Sequence, residues 1–159
     1  MNEIAEIHDG SISCDASSVK RLEAALLQMP QADIKTDHKF KPGIYERTIT
    51  VPPWCVLTGA PHKTDYKVRL ESGTIAVTTD DGVKVFTAPC EFDAKAGIKR
   101  AGRVFEDVVV WTDIYLNEDN CTDIDALEER YYDLSECTLA DKRIRDAQVC
   151  MKTVEMIEV

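Results

Sequence analysis

The sequence of 159 residues lacks the features that would direct it to a membrane or to nucleic acid. No apolar run approaches the ~18 residues that a membrane-spanning helix needs. The first residues, from Met1 to Ile7, have neither the basic start nor the apolar stretch of a signal peptide. With 29 acidic and 19 basic side chains, the net charge of −10 opposes sequence-independent binding to nucleic-acid phosphates. We therefore expect a protein of the cell interior, or of a particle assembled there, without secretion through a signal peptide.

Cysteine and histidine are present, but without the spacing of a metal site. The six cysteines form no C-x-x-C pair, and no two of the three histidines have H-E-x-x-H or H-x-H spacing. A zinc site needs paired ligands of this kind. The sequence also lacks a glycine-rich phosphate loop and a G-x-S-x-G element. We predict no metal and no cofactor, assign no catalytic residue, and favour a protein that is not an enzyme.

An amphipathic helix is predicted from Ala16 to Met29, within an N-terminal arm and helix that spans residues 1–37. Apolar side chains recur there at spacings of three, four and three, at Val19, Leu22, Leu26 and Met29. Asp15 or Ser17 can cap the start of this helix, and Pro30 ends it. The apolar stripe needs a partner surface, which is either the rest of the chain or another subunit.

Residues 38–118 carry short strand-like runs with turn residues between them and no helical pattern. The runs are rich in β-branched and aromatic residues and lie at 44–51, 54–58, 68–70, 74–79, 83–87 and 108–115. Asp80-Asp81-Gly82 predicts a hairpin, because a tight turn needs positive φ. The apolar start of the last run indicates a central strand, and residues 31–39 are interpreted as a polar connector. The pattern favours an antiparallel sandwich or barrel over a parallel α/β sheet.

Beyond Asn117 the pattern returns to helix, so we predict a helical extension over residues 119–159. Thr122 and Asp125 resemble a capping box at the start of its first helix. A second helix is predicted from Leu139 to Met151.

Two polar residues beside turns, His62 and Arg100, are the first candidates for a functional site. A neutral imidazole with carboxylates can bind a divalent metal, but no further ligands are evident near His62, so we favour a polar or core role. Arg100 at a barrel mouth could clamp a carboxylate or phosphate. We favour instead an internal salt bridge, with Glu71, Asp65 or Glu46.

The last strand-like run supplies a third candidate, because its side chains alternate between the two faces of a sheet. Trp111, Asp113 and Tyr115 would share one face. Their aromatic rings form either part of the core, which we favour, or a platform for a ligand.

The order and spacing of these pieces, from about Phe40 to Leu127, resemble the cupin superfamily. Within it, they look most like short cupin-like proteins of tailed bacteriophages and prophages. The matching pieces are Pro42–Arg47, Pro52-Pro53, Gly59–Asp65, Ser72-Gly73, Asp81–Val83, Ala88–Cys90, Ala96–Arg100, Glu106-Asp107, Trp111 and Thr122–Glu129. The resemblance implies a mainly β chain. Its centre would be a cupin-like antiparallel jelly-roll barrel over residues 38–118, with an N-terminal helix and a C-terminal helical extension.

The first cupin motif departs from the pattern of metal-binding members, which carry two histidines and a glutamate there. Counted from Gly73, which we prefer, Tyr66 falls near the glutamate position and His62 near a histidine position. Counted from Gly59, Glu71 takes the glutamate position, and Asp65 and Lys67 replace the histidines.

The second motif departs as well, because Arg100 takes its histidine position in either register. A guanidinium where a cation should bind opposes a metal site. The metal chemistry of the family is therefore not carried over to this chain, and a metal-dependent dioxygenase is the least favoured reading.

The resemblance implies a non-enzymatic phage protein as the leading function. It would be a structural or adaptor component of a virion, such as a head, decoration, tail or fibre-attachment protein. Its partners would be further copies of itself and other phage structural proteins, in the virion or the host cytoplasm. The alternative is a small-molecule-binding or isomerase-type cupin acting on a sugar, nucleotide or acid. Its ligand-binding residues would be Arg100, His62, Tyr45, Tyr66 and Trp111. An open barrel would favour the alternative, and a filled barrel the structural role.

Overall fold

The described part of the chain, a computed structural model of residues 16–133 and of the backbone of residues 148–150, consists mainly of β-strands. Its two helices are α1 (Ala16–Leu26) and α2 (Ile124–Tyr131). The strands are β1 (Lys35–Lys41), β2 (Ile44–Val51), β3 (Cys55–Gly59), β4 (Tyr66–Ser72), β5 (Thr74–Thr79), β6 (Gly82–Thr87), β7 (Cys90–Ala94), β8 (Arg100–Val104), β9 (Val109–Leu116) and β10 (Gln148–Cys150). Neither described helix has the length and apolar character needed to cross a bilayer.

The strands form two antiparallel sheets that pack face to face. The first sheet has the order β1-β2-β9-β4-β7, and the second has the order β10-β3-β8-β5-β6. Strands β2 to β9 are thus divided between the two sheets. In the first sheet β9 lies between β2 and β4, and in the second sheet β8 lies between β3 and β5. This is the order of a double-sheet jelly roll, which is built from two Greek keys. The predicted mainly β, antiparallel jelly-roll fold is therefore confirmed, and β1 and β10 extend its two sheets.

The core has three parts, each set by the period-two alternation of the strands. Between the sheets, the buried side chains are Val51, Cys55, Leu70, Ile75, Val77, Val104 and Val109. Helix α1 covers the outer face of the second sheet with the predicted apolar stripe, in contact with Val56 and Ala101. Helix α2 places Leu127 and Tyr131 against an aromatic row of the first sheet, formed by Tyr45, Tyr115 and Tyr66. The stripe of α1 therefore packs on the barrel of its own chain.

A buried ion pair holds α1 on the barrel. The ammonium of Lys99 donates to Glu23 Oε2 at 2.6 Å, and the hydroxyl of Thr58 donates to the same oxygen at 2.7 Å. The side chains of Glu23 and Lys99 are only 2% and 3% exposed. Because Thr58 and Lys99 belong to β3 and to the approach to β8, this pair joins the helix to two neighbouring strands.

Several local predictions agree with the structure. Strands β5 and β6 form the predicted hairpin, with Gly82 at φ 97°. Strand β9 pairs with both β2 and β4, so it has the central position that its apolar start indicated. Gly73 takes a φ of 85° at the turn between β4 and β5.

Two predictions near the N-terminus need correction. Helix α1 ends at Leu26, before the predicted Met29, and a turn follows up to Pro30. The residue before a proline is disfavoured in the helical region, so the helix ends early. Residues 35–39 of the supposed connector belong to β1, which is paired with β2 and exposed along its whole length. Because neither face of this strand is buried, its sequence does not alternate between apolar and polar residues. Its lysines are typical of a sheet edge that is protected against pairing with another chain.

Two predictions near the C-terminus also need correction. The cap of α2 is Asp123 instead of Thr122, and its carboxylate accepts hydrogen bonds from the amides of Asp125 and Ala126. Residues 148–150 of the predicted second helix form β10, which pairs with β3. The remainder of that helix, residues 139–147 and Met151, lies outside the described residues.

Candidate ligand-binding pocket

A cavity of about 100 Å³ lies between the two sheets and is partly open to solvent. A single water needs roughly 10–15 Å³ of such space, so the cavity has room for several waters or a small organic molecule. Its apolar walls are formed by Ile49, Val51, Leu57, Ile75, Val77 and Val109. Its polar and aromatic lining includes Arg47, His62, Tyr66, Arg100, Trp111, Asp113 and Tyr132.

The alternation of β2 and β9 places the apolar and charged parts of the pocket in successive rows. Val51 is opposite Val109, and Ile49 is opposite Trp111 in the next row. Arg47 follows opposite Asp113. The pocket therefore passes from an apolar floor to a charged rim, in two-residue steps along neighbouring strands.

The second sheet completes the pocket with small or apolar residues. Gly102 of β8 lies so close to β5 that an added Cβ would be 3.1 Å from Ile75 Cδ1. A glycine inside a strand allows this close packing. Strand β8 was not predicted, because this glycine and its arginines give it little of the composition of a strand.

A hydrogen-bonded network joins four polar residues at the rim. Trp111 Nε1 donates to Asp113 Oδ1 at 2.7 Å, and the Tyr115 hydroxyl donates to Asp113 Oδ2 at 3.2 Å. His62 Nε2 lies 2.7 Å from the Tyr115 hydroxyl. The Tyr115 hydroxyl also lies 3.5 Å from the Tyr132 hydroxyl, and the tautomer of His62 decides whether its Nε2 donates or accepts. Sequence alternation correctly placed Trp111, Asp113 and Tyr115 on one face.

His62 is held as a neutral imidazole. Its side chain is 10% exposed and stacks on the ring of Tyr66, with 4.0 Å between ring centroids. Burial, together with the positive charges of Arg100 and Arg47, lowers the pKa of His62 to about 3. Burial also raises the pKa of Tyr66, and that of Tyr115, above the ordinary range. These three groups therefore keep one protonation state throughout the neutral pH range.

Arg100 enters the pocket from the first position of β8. Its Nη1 donates to the backbone carbonyl of Thr78 at 2.8 Å. Its charge and its hydrogen bond to the Tyr66 hydroxyl also lower the pKa of Tyr66, in opposition to the larger effect of burial. Among the described residues, no carboxylate lies within salt-bridge distance of Arg100.

The predicted salt bridge from Arg100 to Glu46, Glu71 or Asp65 is therefore wrong. Glu46 lies on the outer face of the first sheet, where it accepts a hydrogen bond from Arg69 at 3.0 Å. Glu71 lies near the same guanidinium, at 3.8 Å. Asp65 accepts from the backbone amide of Ala96 at 2.8 Å. The strand pairing therefore places these three carboxylates beside partners other than Arg100.

The structure brings together four of the five predicted ligand-binding residues, namely His62, Tyr66, Arg100 and Trp111. Tyr45 is not part of the lining: it is buried beside Tyr115, and its hydroxyl is 2.7 Å from His38 Nδ1. A role in ligand binding stays a prediction for all five.

Three lining residues, Arg47, Asp113 and Tyr132, were not chosen as site residues from the sequence. Arg47 shares the alternation of Ile49 and Val51 along β2, so the period-two pattern could have identified it. For Asp113, the alternation along the strand predicted the correct face of the sheet, but no role in binding was assigned to it. Tyr132 follows α2 and pairs with His62 through an isolated bridge, a long-range contact without a local signal.

The described part of the chain holds no candidate metal centre. No three His, Cys, Asp or Glu side chains are grouped there closely enough to hold a metal ion. At the second-motif position, the charge of Arg100 would repel a cation. The residues present therefore do not fit the metal centre that the resemblance brings to mind.

No protein-family model and no curated protein matches the chain. Solved structures similar to it include a cupin domain from Bordetella pertussis Tohama I, at 14% identity over 56% of this chain and 98% of that chain, with a TM-score of 0.44. A cupin superfamily protein from Desulfitobacterium hafniense DCB-2 has 13% identity over 58% and 85%, with a TM-score of 0.45. An HTH_3 family transcriptional regulator from Vibrio cholerae has 12% identity over 71% and 78%, with a TM-score of 0.47. The jelly-roll assignment rests on the strand order described above.

Proposed function

We propose that the protein binds a small organic molecule in the pocket between its two sheets. The observation that carries the proposal is the cavity of about 100 Å³ beside Arg100, between the two sheets of the barrel. Protein interiors are close-packed, and side chains that line a void lose dispersion contacts. A barrel used only as a building block would gain stability if larger side chains filled this space. A cavity with apolar walls and an arginine at its rim is typical of a binding site.

Binding fits the protonation states of the pocket better than acid–base catalysis does. General acids and bases work best when their pKa lies near the working pH. The pKa of His62 is lowered to about 3, and burial raises the pKa of Tyr66 and of Tyr115. None of these three groups therefore exchanges a proton readily at neutral pH. The isomerase-type alternative is therefore less favoured than simple binding.

The test compares two Val→Phe variants of the second sheet. Val77→Phe places a ring in the cavity, whereas Val85→Phe places the same ring on the outer surface, where Val85 is 60% exposed. Small acids, sugars and nucleotides are screened by thermal shift, and native mass spectrometry detects any copurified molecule. We expect a ligand that raises the Tm of wild type and Val85→Phe but not of Val77→Phe. A wild-type protein without a copurified molecule, and without a shift from any compound, would contradict the proposal.

As a second candidate we propose the structural or adaptor role in a phage particle, with further copies and other phage structural proteins as partners. The similar solved structures add no support to it. The observation that favours it is the outer side of β6, where Val83 and Val85 are 42% and 60% exposed beside each other on one face. Exposed apolar side chains that adjoin one another are typical of an interface.

This candidate is tested by the molar mass in solution and by the protein content of particles. Multi-angle light scattering should give a multiple of the chain mass for wild type and a smaller mass for Val85→Lys. A monomeric wild type, together with purified particles that lack the polypeptide, would exclude the structural role.

A further inference from the structure

Two charged groups of the pocket, Asp113 and Arg100, differ in how many of their hydrogen-bonding positions are already used. Asp113 is the one acid among the described lining residues, and both of its carboxylate oxygens accept hydrogen bonds, from Trp111 and from Tyr115. Arg100 donates to neutral oxygens, the backbone carbonyl of Thr78 and the hydroxyl of Tyr66. The carboxylate is therefore committed within the rim, whereas the guanidinium keeps N–H groups for a further acceptor.

The remaining N–H groups of Arg100 suit one kind of acceptor. A guanidinium is planar, and two of its N–H groups together match the two oxygens of a carboxylate. His62 is neutral and stacked on Tyr66, so neither adds a competing negative charge. The positive charges of Arg100 and Arg47 both lower the pKa of His62 at the rim, although the whole chain has a net charge of −10.

The apolar walls determine the size and polarity of the part of the ligand that does not contact Arg100. Ile49, Leu57 and Val77 belong to three different strands and face the same space. An apolar cavity of about 150 Å³ is known to take benzene, so a cavity of this order suits one small ring or a short branched chain. A second charge on the ligand would have to enter these apolar walls without a partner, which is costly.

We infer that the pocket takes a small monocarboxylate with a compact apolar body, whose carboxylate pairs with Arg100 and whose body lies against the apolar walls. This inference rests on the proposed binding function and adds the chemical class of the ligand. Arg100 is then the residue that determines specificity for the anion.

The test measures binding of matched probes by isothermal titration calorimetry. Benzoate and 3-methylbutanoate carry the carboxylate on two apolar bodies. Benzamide keeps the ring without the charge, and phenyl phosphate carries a larger anion. We expect wild type to bind at least one carboxylate at least tenfold more tightly than benzamide or phenyl phosphate.

Variants of Arg100 test whether this residue causes the preference for carboxylates. Arg100→Gln should weaken carboxylate binding at least tenfold and leave benzamide unchanged, and Arg100→Lys should give an intermediate affinity. Lys84→Gln removes a charge from the exposed β5–β6 hairpin and should bind like wild type. Circular dichroism establishes that each variant is folded, and Arg100→Lys still tests the inference if Arg100→Gln does not fold.

The outcomes separate this inference from the proposed function. Equal affinity for benzoate and benzamide, or tighter binding of phenyl phosphate, overturns the carboxylate class while the pocket remains a binding site. The absence of binding by both carboxylates also overturns the class. The thermal-shift screen with Val77→Phe then decides separately whether the pocket binds any small molecule.

Discussion

A step of one residue, from Lys99 to Arg100, changes the side of the barrel to which a cation points. Lys99 pairs with Glu23 of α1 on the outside, and Arg100 enters the pocket on the inside. Alternation along a strand accounts for the reversal. The spacing from Gly97 identified Arg100 as a candidate from the sequence. One of its acceptors, the carbonyl of Thr78, depends on how β5 and β8 pair, and that pairing has no local signal.

Removal of the charge of Glu23 should destabilise the protein strongly. Glu23→Gln leaves the Lys99 ammonium buried without its counterion, which typically costs roughly 3–5 kcal/mol. Urea denaturation followed by circular dichroism gives the free energy of unfolding. Glu23→Gln combined with Lys99→Met should recover part of the loss.

Asp93→Asn is the control for this pair, because it breaks the exposed pair between Lys67 and Asp93, whose side chains are 61% and 82% exposed. Exposed pairs contribute little, so the free energy of unfolding should hardly change. Equal effects of Glu23→Gln and Asp93→Asn would show that the buried pair does not hold α1.

The neutral state of His62 should make stability depend on pH. Its folded pKa of about 3 lies below the ordinary value of about 6.5, so the unfolded chain takes up a proton first as the pH falls. The free energy of unfolding should therefore fall by about 1.4 kcal/mol per pH unit below pH ~6.5 on account of this residue. His62→Asn should show a flatter dependence between pH ~5 and ~6.5. Titration of the His62 imidazole near its ordinary pKa, seen by NMR, would contradict the prediction.

At the level of elements, the sequence was informative where structure is set locally. The hairpin of β5 and β6 follows from Asp81-Gly82 between apolar runs, because turn chemistry acts over a few residues. Strand β1 escaped prediction because neither of its faces is buried. Strand β10 completes an edge through pairing with β3, nearly one hundred residues earlier in the chain.

The turn between β4 and β5 should require glycine. Gly73 has a φ of 85°, and an added Cβ would lie 2.5 Å from the carbonyl oxygen of Val108. Gly43 has a similar φ of 72°, with no atom within 4 Å of an added Cβ. In both Gly→Ala variants, alanine has to adopt a left-handed backbone conformation, which costs roughly 1–2 kcal/mol. Gly73→Ala should lose a further ~1–3 kcal/mol from the clash, as measured by urea denaturation. Similar losses for the two variants would show that Val108 moves away without cost.

For the whole molecule, the jelly-roll order was inferred from the resemblance, since the pairing of β2 with β9 joins residues far apart in the chain. Composition gave the net charge of −10 but not its distribution. Arg100 and Arg47 both line the pocket of this acidic molecule, together with one described acid, Asp113. The arrangement of the strands, and not the composition, brings these charges together.

The overall charge should prevent the protein from binding nucleic acid without sequence preference. Such binding depends on neutralising phosphates with basic groups, and this chain has an excess of acidic groups. We expect no mobility shift of a random DNA duplex or of single-stranded RNA at physiological salt. A shift that weakens steeply as salt is raised would show a basic surface that the net charge conceals.

Trp111, whose indole bonds to Asp113 at the rim, gives the molecule a built-in optical reporter. The chain has only one other tryptophan, Trp54, which lies at the turn before β3. In a Trp54→Phe protein, the tryptophan fluorescence would come from Trp111 in the pocket wall alone. Occupancy of the barrel would then be read directly from the emission of the unlabelled protein.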